Sequence, residues 1–264
     1  MEKTWFTRLQ SSLVMPGPPE EYEQSQKESA IIVIVGVVCL SSIYFGASNP
    51  EFIWALGEVL RDSLGALPSW NRVSAPEQVA LSQALVWGWA TIFSYLAVPV
   101  IVTLGILRLP LRKVGLQKPL NSLGWRTYLG LGFIAAAAVA AASFLPAFTE
   151  TYPFFVPSDS WGLFILWQSV YGIQILAVEF FFRGFLLLGL RPRFGLHALW
   201  LMLIPYFLIH ISKPAPEAIA SLAAGVVLGL IALRTHSIAV PALLHLFVAW
   251  WMDALSLLQR GGLG

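Results

Sequence analysis

Residues 178–185 read VEFFFRGF, inside the apolar run ILAVEFFFRGFLLLGL (175–190). Glu179 and Arg183 are four residues apart, so on a helix they lie on one face, one turn from each other. The surrounding run, 161–190, is long enough to cross a bilayer as a helix. An ionisable side chain inside a membrane span costs a few kcal/mol on insertion scales, so it faces a protein interior or a cavity and serves function. The plainer reading of the arginine is a structural ion pair that holds two helices in register.

The rest of the chain supports a membrane setting. Of its 264 residues 57% are hydrophobic and 11% charged, with mean hydropathy +0.73, too apolar for a soluble globular domain. A net charge of +2 without a basic run gives no phosphate-binding face, so no nucleic-acid partner is expected. The single cysteine, Cys39, allows neither an intramolecular disulfide nor a cysteine zinc site and reads as a small hydrophobe in a span.

Apolar runs at 30–48, 78–107, 127–148, 161–190, 196–211, 218–234 and 237–258 predict an all-α, polytopic transmembrane bundle of about seven spans. An eighth follows if 161–190 breaks near Gly172. Segment 50–66 carries too much charge to span and is expected at the interface, with Trp54, Arg61 and Asp62. The polar stretch 1–29 reads as a cytoplasmic N-terminal segment. It is followed by N-terminal spans over 30–160 and a core over 161–258, all in one membrane domain without an internal repeat. The first apolar run has no small-residue cleavage pattern and is expected to be a span, not a removed signal.

Loop charge orients the bundle. Residues 108–126 carry Arg108, Arg112, Lys113, Lys118 and Arg126 and are expected on the cytoplasmic side. Alternation then puts TETYPFFVPSDS (149–160) outside, Arg191, Arg193 and Arg234 inside, and the N-terminus inside. Lys213, expected outside, is the dissenting residue.

The first three spans contain no Asp, Glu, Lys, Arg or His, and all four histidines follow residue 190. Counted from the cytoplasmic ends, Glu179 lies roughly 18 Å deep, His210 roughly 20 Å and His245 roughly 14 Å. Glu217 and Asp253 form a second tier at roughly 25 Å. A carboxylate and two imidazoles at one depth answer no structural need. His197 and His236 flank basic loops and read as interfacial, while Phe180–Phe182 and Trp250–Trp251 read as packing or lipid-facing residues.

A low-dielectric site disfavours a charged carboxylate and a neighbouring cation restores it. Glu179 beside Arg183 therefore suits a general base acting on water, with one histidine sharing that water and a second supporting the developing oxyanion. No serine or cysteine nucleophile is needed. One glutamate and two histidines also fit a Zn²⁺ site, but no HExxH pair supports it, and no metal or cofactor is expected.

The ordered set EFFFRGF, then YFLIH, then RTHSIAVPALLH resembles the CAAX protease and bacteriocin-processing family (CPBP, or Abi) of intramembrane endopeptidases, over about residues 165–257. The family pattern has EExxxR on one helix, FxxxH on the next, and a last helix with His and a polar residue, usually Asn, four positions later. By position the resemblance assigns Glu179 to the second Glu, Arg183 to the Arg, and His210 and His245 to the two histidines. It implies water activated by a glutamate and a histidine, with the other polar groups at an oxyanion site. Val178 replaces the first Glu, Tyr206 the Phe and Ala249 the Asn. Asp253, one turn on, and Glu217, in HISKPAPEAI, are second-rank replacements, and the set EFFFR, HxxKPxPE, HxxxxxxxD reads as a subgroup.

The sequence thus points to a multi-pass protein of a bacterial cytoplasmic membrane that cleaves a membrane-embedded or membrane-proximal protein segment. Its partners would be the bilayer and a membrane-anchored or C-terminally hydrophobic substrate. The rival readings are a catalytically inactive scaffold or immunity-type protein and a proton- or metal-coupled carrier. Carriers commonly show inverted repeats, and none is visible here.

Overall fold

The computed structural model describes residues 19–47, 49–65, 70, 74–158 and 160–261, and among these there is no strand. The expected N-terminal segment lies outside the described residues as far as residue 18. Helix α1 is Pro19–Ser41, extended by a π-helical turn to Ala47. Helix α2 (Pro50–Leu64) follows, and α3 begins as Ala75–Ile92 and runs through π-helical turns to Ile106. Helices α4 (Trp125–Ala142) and α5 (Pro146–Thr151) precede the long α6, which is α-helical over Trp161–Glu179, π-helical over Phe180–Leu188 and ends at Phe194. The last three are α7 (His197–Leu208), α8 (Ala215–Thr235) and α9 (Ala239–Arg260).

Six of the described helices, α1, α3, α4, α6, α8 and α9, are long and apolar enough to cross a membrane. α2 carries the charge expected of an interfacial segment and starts on a strong cap. Asn49 accepts from the backbone of Glu51 at 2.9 Å and Phe52 at 3.2 Å, with Pro50 in the first turn. α3 starts on Ser74, whose backbone N–H and hydroxyl both donate to Glu77 at 2.7 and 2.6 Å.

Two expectations change. α6 does not break at Gly172, so the eighth span does not arise. The glycine admits a neighbour instead, since a Cβ there would stand 3.0 Å from the Trp250 ring. The run 196–211 is helical for only 12 residues, with Pro205 inside and Pro214 soon after. A helix that short falls below a bilayer's thickness. His210 consequently lies on the turn after α7, its N–H bonded to Phe207 at 2.9 Å.

The chain gathers into two compact units that interleave along the sequence. One comprises the residues up to Val38, Val98–Ser122 and Glu179–Pro241; the other comprises Cys39–Ala97, Leu123–Val178 and Ala242–Gly264. In the first, the basic loop after α3 is stitched to the end of α8. Leu120 N–H donates to Thr235 at 2.8 Å, Ile238 N–H to Gly115 at 3.1 Å, Gln117 to the His236 carbonyl at 2.8 Å and Ser237 to the Gln117 carbonyl at 2.6 Å. Gly115 turns at φ +83°, and a Cβ there would meet Leu188 at 2.8 Å and Ile238 at 2.9 Å, so both the conformation and the space require glycine.

Also in this unit, Gly225 and Gly229 of α8 form a G-x-x-x-G step against α7. A Cβ on Gly225 would lie 2.5 Å from Leu203, and one on Gly229 2.4 Å from Leu199. The absent side chains let the two helices approach closely, which is how membrane helices gain packing energy where no hydrophobic drive separates protein from lipid. In the second unit Trp251 donates to the Ala136 carbonyl at 3.2 Å, and Ser256 donates to the Tyr152 carbonyl.

Candidate active site

Glu179 is the last α-helical residue of α6, and the next nine are π-helical. Such widened turns occur often at functional sites, and here the widening carries Arg183. The Arg183 Nη1 lies 3.0 Å from Glu179 Oε1, and both side chains are wholly buried. Phe180, Phe181, Phe182 and Phe185 are buried too, so the sequence's run of phenylalanines is packing and not a lipid-facing surface.

Tyr206 of α7 carries the site onward. Its ring lies 3.9 Å from the Arg183 guanidinium carbon, within the range of a strong cation–π contact. It meets Phe182 edge-to-face at 5.2 Å and the His210 ring at 4.7 Å. His210 Nδ1 is 2.7 Å from the Tyr206 carbonyl oxygen. A carbonyl only accepts, so Nδ1 carries the proton and Nε2 is the nitrogen left for proton exchange. Glu217, in the first turn of α8, is within electrostatic reach of the Tyr206 ring. Glu179, Arg183, Tyr206 and His210 are thereby joined in one continuous series of contacts, with Glu217 beside it.

His245 and Asp253 lie on α9 in the other unit. Asp253 is buried and accepts from Gln168 Nε2 of α6 at 2.5 Å. Residue 249, where the resemblance expects Asn, is a buried alanine. Gln168 is uncharged, so a reading of ionisable residues alone passes over it. An amide inside an apolar span is the same kind of signal, and Gln174 is a second instance, 3.3 Å from Thr91.

Of the two remaining histidines, His197 is exposed, while His236 caps α8 in the left-handed conformation (φ 51°) with both ring nitrogens near Arg191 Nη1, at 3.0 and 3.1 Å. Burial first, and the Arg191 charge second, hold this imidazole below its usual value. Among the described residues, no group of three or more His, Cys, Asp or Glu is placed to hold a metal ion.

The buried ion pair with an imidazole one aromatic ring away lies in a stretch that can be compared with known proteins. Residues 160–251 match the Rce1-like family, type II CAAX prenyl endopeptidases. The Rce1-like segment contains Glu179, Arg183, His210, Glu217 and His245 and stops short of Asp253. At family level this match supports a membrane endopeptidase acting on a membrane-associated substrate, and the six apolar helices among the described residues fit a multi-pass membrane protein. No curated protein and no solved structure matches the chain.

Proposed function

We propose that the protein hydrolyses a peptide bond in a membrane-embedded or C-terminally hydrophobic protein segment, using water activated by Glu179 and His210. The observation that carries this reading is the contact series Glu179–Arg183–Tyr206–His210 within the Rce1-like segment. Arg183 Nη1 lies 3.0 Å from Glu179 Oε1 and holds the carboxylate in place. The carboxylate takes a proton from water as its oxygen attacks the scissile carbonyl. Arg183 is assigned to the negative charge that forms on the carbonyl oxygen. Collapse of the tetrahedral intermediate breaks the C–N bond, and His210 Nε2 relays the proton to the leaving amine. One water is consumed, and one carboxylate and one amine are produced. Glu217 is assigned as a supporting carboxylate, replacing the one lost at Val178, and Asp253 as a second supporting group. The active protein is assigned to a bacterial cytoplasmic membrane with its N-terminus inside.

The test replaces the gene with wild type, Glu179→Gln or His210→Ala, after confirming normal accumulation, and compares membrane-protein termini by mass spectrometry. The same substrates uncleaved in both variants and in the null support the reading and identify the substrate. Both variants behaving like wild type overturns it, makes Glu179 structural and favours the inactive-scaffold reading, which Val178 and Ala249 motivate.

A further inference from the structure

Tyr206 is among the largest fully enclosed side chains of the protein, yet its surroundings are not those of a residue that only fills space. The Arg183 guanidinium lies over its ring at 3.9 Å, the His210 imidazole approaches at 4.7 Å with a 55° tilt, and Phe182 meets the ring edge-to-face. α8 closes on the ring through Gly225, where a Cβ would stand 3.0 Å from Tyr206 Cδ1 and 3.3 Å from Cε1. A larger residue at 225 meets Leu203 first, at 2.5 Å, and crowds the Tyr206 ring as well.

We propose that Tyr206, seated on Gly225, is the positioning residue of this site: its ring holds Arg183 over Glu179 and fixes the spacing between that cation and His210. A guanidinium buried against an aromatic face is held by the ring quadrupole as well as by its carboxylate partner. The same quadrupole supports an imidazolium on His210, while Arg183 opposes one. Glu179 on α6 and Glu217 on α8 are within electrostatic reach of the Tyr206 ring, and Lys213 N–H donates to the His210 carbonyl at 3.0 Å. Taking the ring away removes the support and leaves the two cations facing each other without an insulating surface. Phenylalanine keeps the ring face and gives up only the hydroxyl's hydrogen bond to Arg183, whereas an aliphatic residue loses both.

The proposal rests on the endopeptidase reading only for its cleavage readout, so two readouts are taken on the full-length protein in nanodiscs. The first is NMR titration of the histidine rings, the His210 signal being assigned by its loss in His210→Ala. Tyr206→Phe is expected to keep the wild-type midpoint, Tyr206→Leu to lower it by about half a unit or more, and Gly225→Ala to lower it by less. The second is hydrolysis of a farnesylated, internally quenched CAAX peptide. Tyr206→Leu is expected to lower kcat about tenfold at nearly constant KM, and Tyr206→Phe to retain it.

Should Tyr206→Leu fail to fold, Gly225→Ala decides, because it moves the ring without deleting it. Wild-type His210 titration in the folded Leu and Ala variants overturns the proposal whatever the peptide does. A shifted midpoint with a wild-type protein that does not cleave the peptide overturns the endopeptidase reading. One with Glu179→Gln and His210→Ala proteins that still cleave removes those two residues from catalysis. Both leave the positioning role standing.

Discussion

Gly184 lies against the backbone of Val114 so closely that a Cβ on it would stop 2.6 Å from the Val114 carbonyl oxygen. That oxygen belongs to a short 3-10 turn (Leu111–Val114), not to a side chain that can swing aside. Gly184→Ala is therefore expected to lower stability by about 1–3 kcal/mol through overpacking. Because Arg183 is the adjacent residue, cleavage should fall with it. Thermal unfolding in detergent measures the first effect, and an unchanged midpoint refutes it.

The buried pair Glu179–Arg183 makes the two single substitutions unequal to the double one. Arg183→Met leaves an isolated buried carboxylate and should cost about 3–5 kcal/mol. Glu179→Gln combined with Arg183→Met removes both charges and should regain a large part of that loss. Stability of Glu179→Gln, Arg183→Met, the double variant and wild type, measured side by side, gives the coupling. Additive losses would show that the pair is not coupled.

His236 gives the protein an acid-sensitive joint on the loop stitched to α8. Its folded-state value is depressed by burial and Arg191, so the folded protein disfavours the proton that the unfolded chain accepts near pH 6.5. Stability should be full above about pH 6.5 and decline below it until the folded ring titrates as well. His236→Gln should flatten this decline. Unfolding midpoints between about pH 5 and 8 measure it, and parallel profiles for the two proteins would remove His236 as the cause.

Gln168 donates to a carboxylate that is 2% exposed. Gln168→Leu takes away that donor and should destabilise the protein by about 1–3 kcal/mol. Gln168→Glu should be worse, since it places two carboxylates together. Equal stability of all three proteins would contradict the pairing.

A water-activating glutamate works without a Lewis acid. Cleavage by purified protein should therefore survive a strong chelator, with no stoichiometric metal found by elemental analysis. Chelator-sensitive activity restored by one particular metal would replace the glutamate–water mechanism with a metal-assisted one.

The apolar runs located α3, α6, α8 and α9 to within about four residues, because about twenty consecutive apolar residues have few alternatives to spanning. By contrast, α1 starts earlier, at Pro19, than the run 30–48, and α4 ends earlier, at Ala142, than the run 127–148. Segment 50–66 forms α2, which is not among the six described helices long and apolar enough to cross a membrane. Depth counting brought Glu179 and His210 to one level, and the structure joins them through Tyr206. It could not reveal that His210 stands beyond the end of α7, because Pro205 and Pro214 shorten that helix without making its sequence less apolar. Nor could it reveal the π-helical stretch: the i, i+4 spacing of Glu179 and Arg183 has the same letters in either geometry. The Gly225–Gly229 step was readable in principle, as a small-residue spacing in an apolar helix.

The stitching of residues 115–120 to 235–238 bears on how this protein can be cut. An excised Rce1-like fragment, residues 160–251, would carry Thr235 and Ile238 away from their main-chain partners at Leu120 and Gly115. It would also lose the Val114 strip on which Gly184 rests. The span that can be recognised by likeness is thus smaller than the span that can be expressed. Fragment work should split the chain in a surface loop and supply both pieces together, instead of isolating the recognisable one.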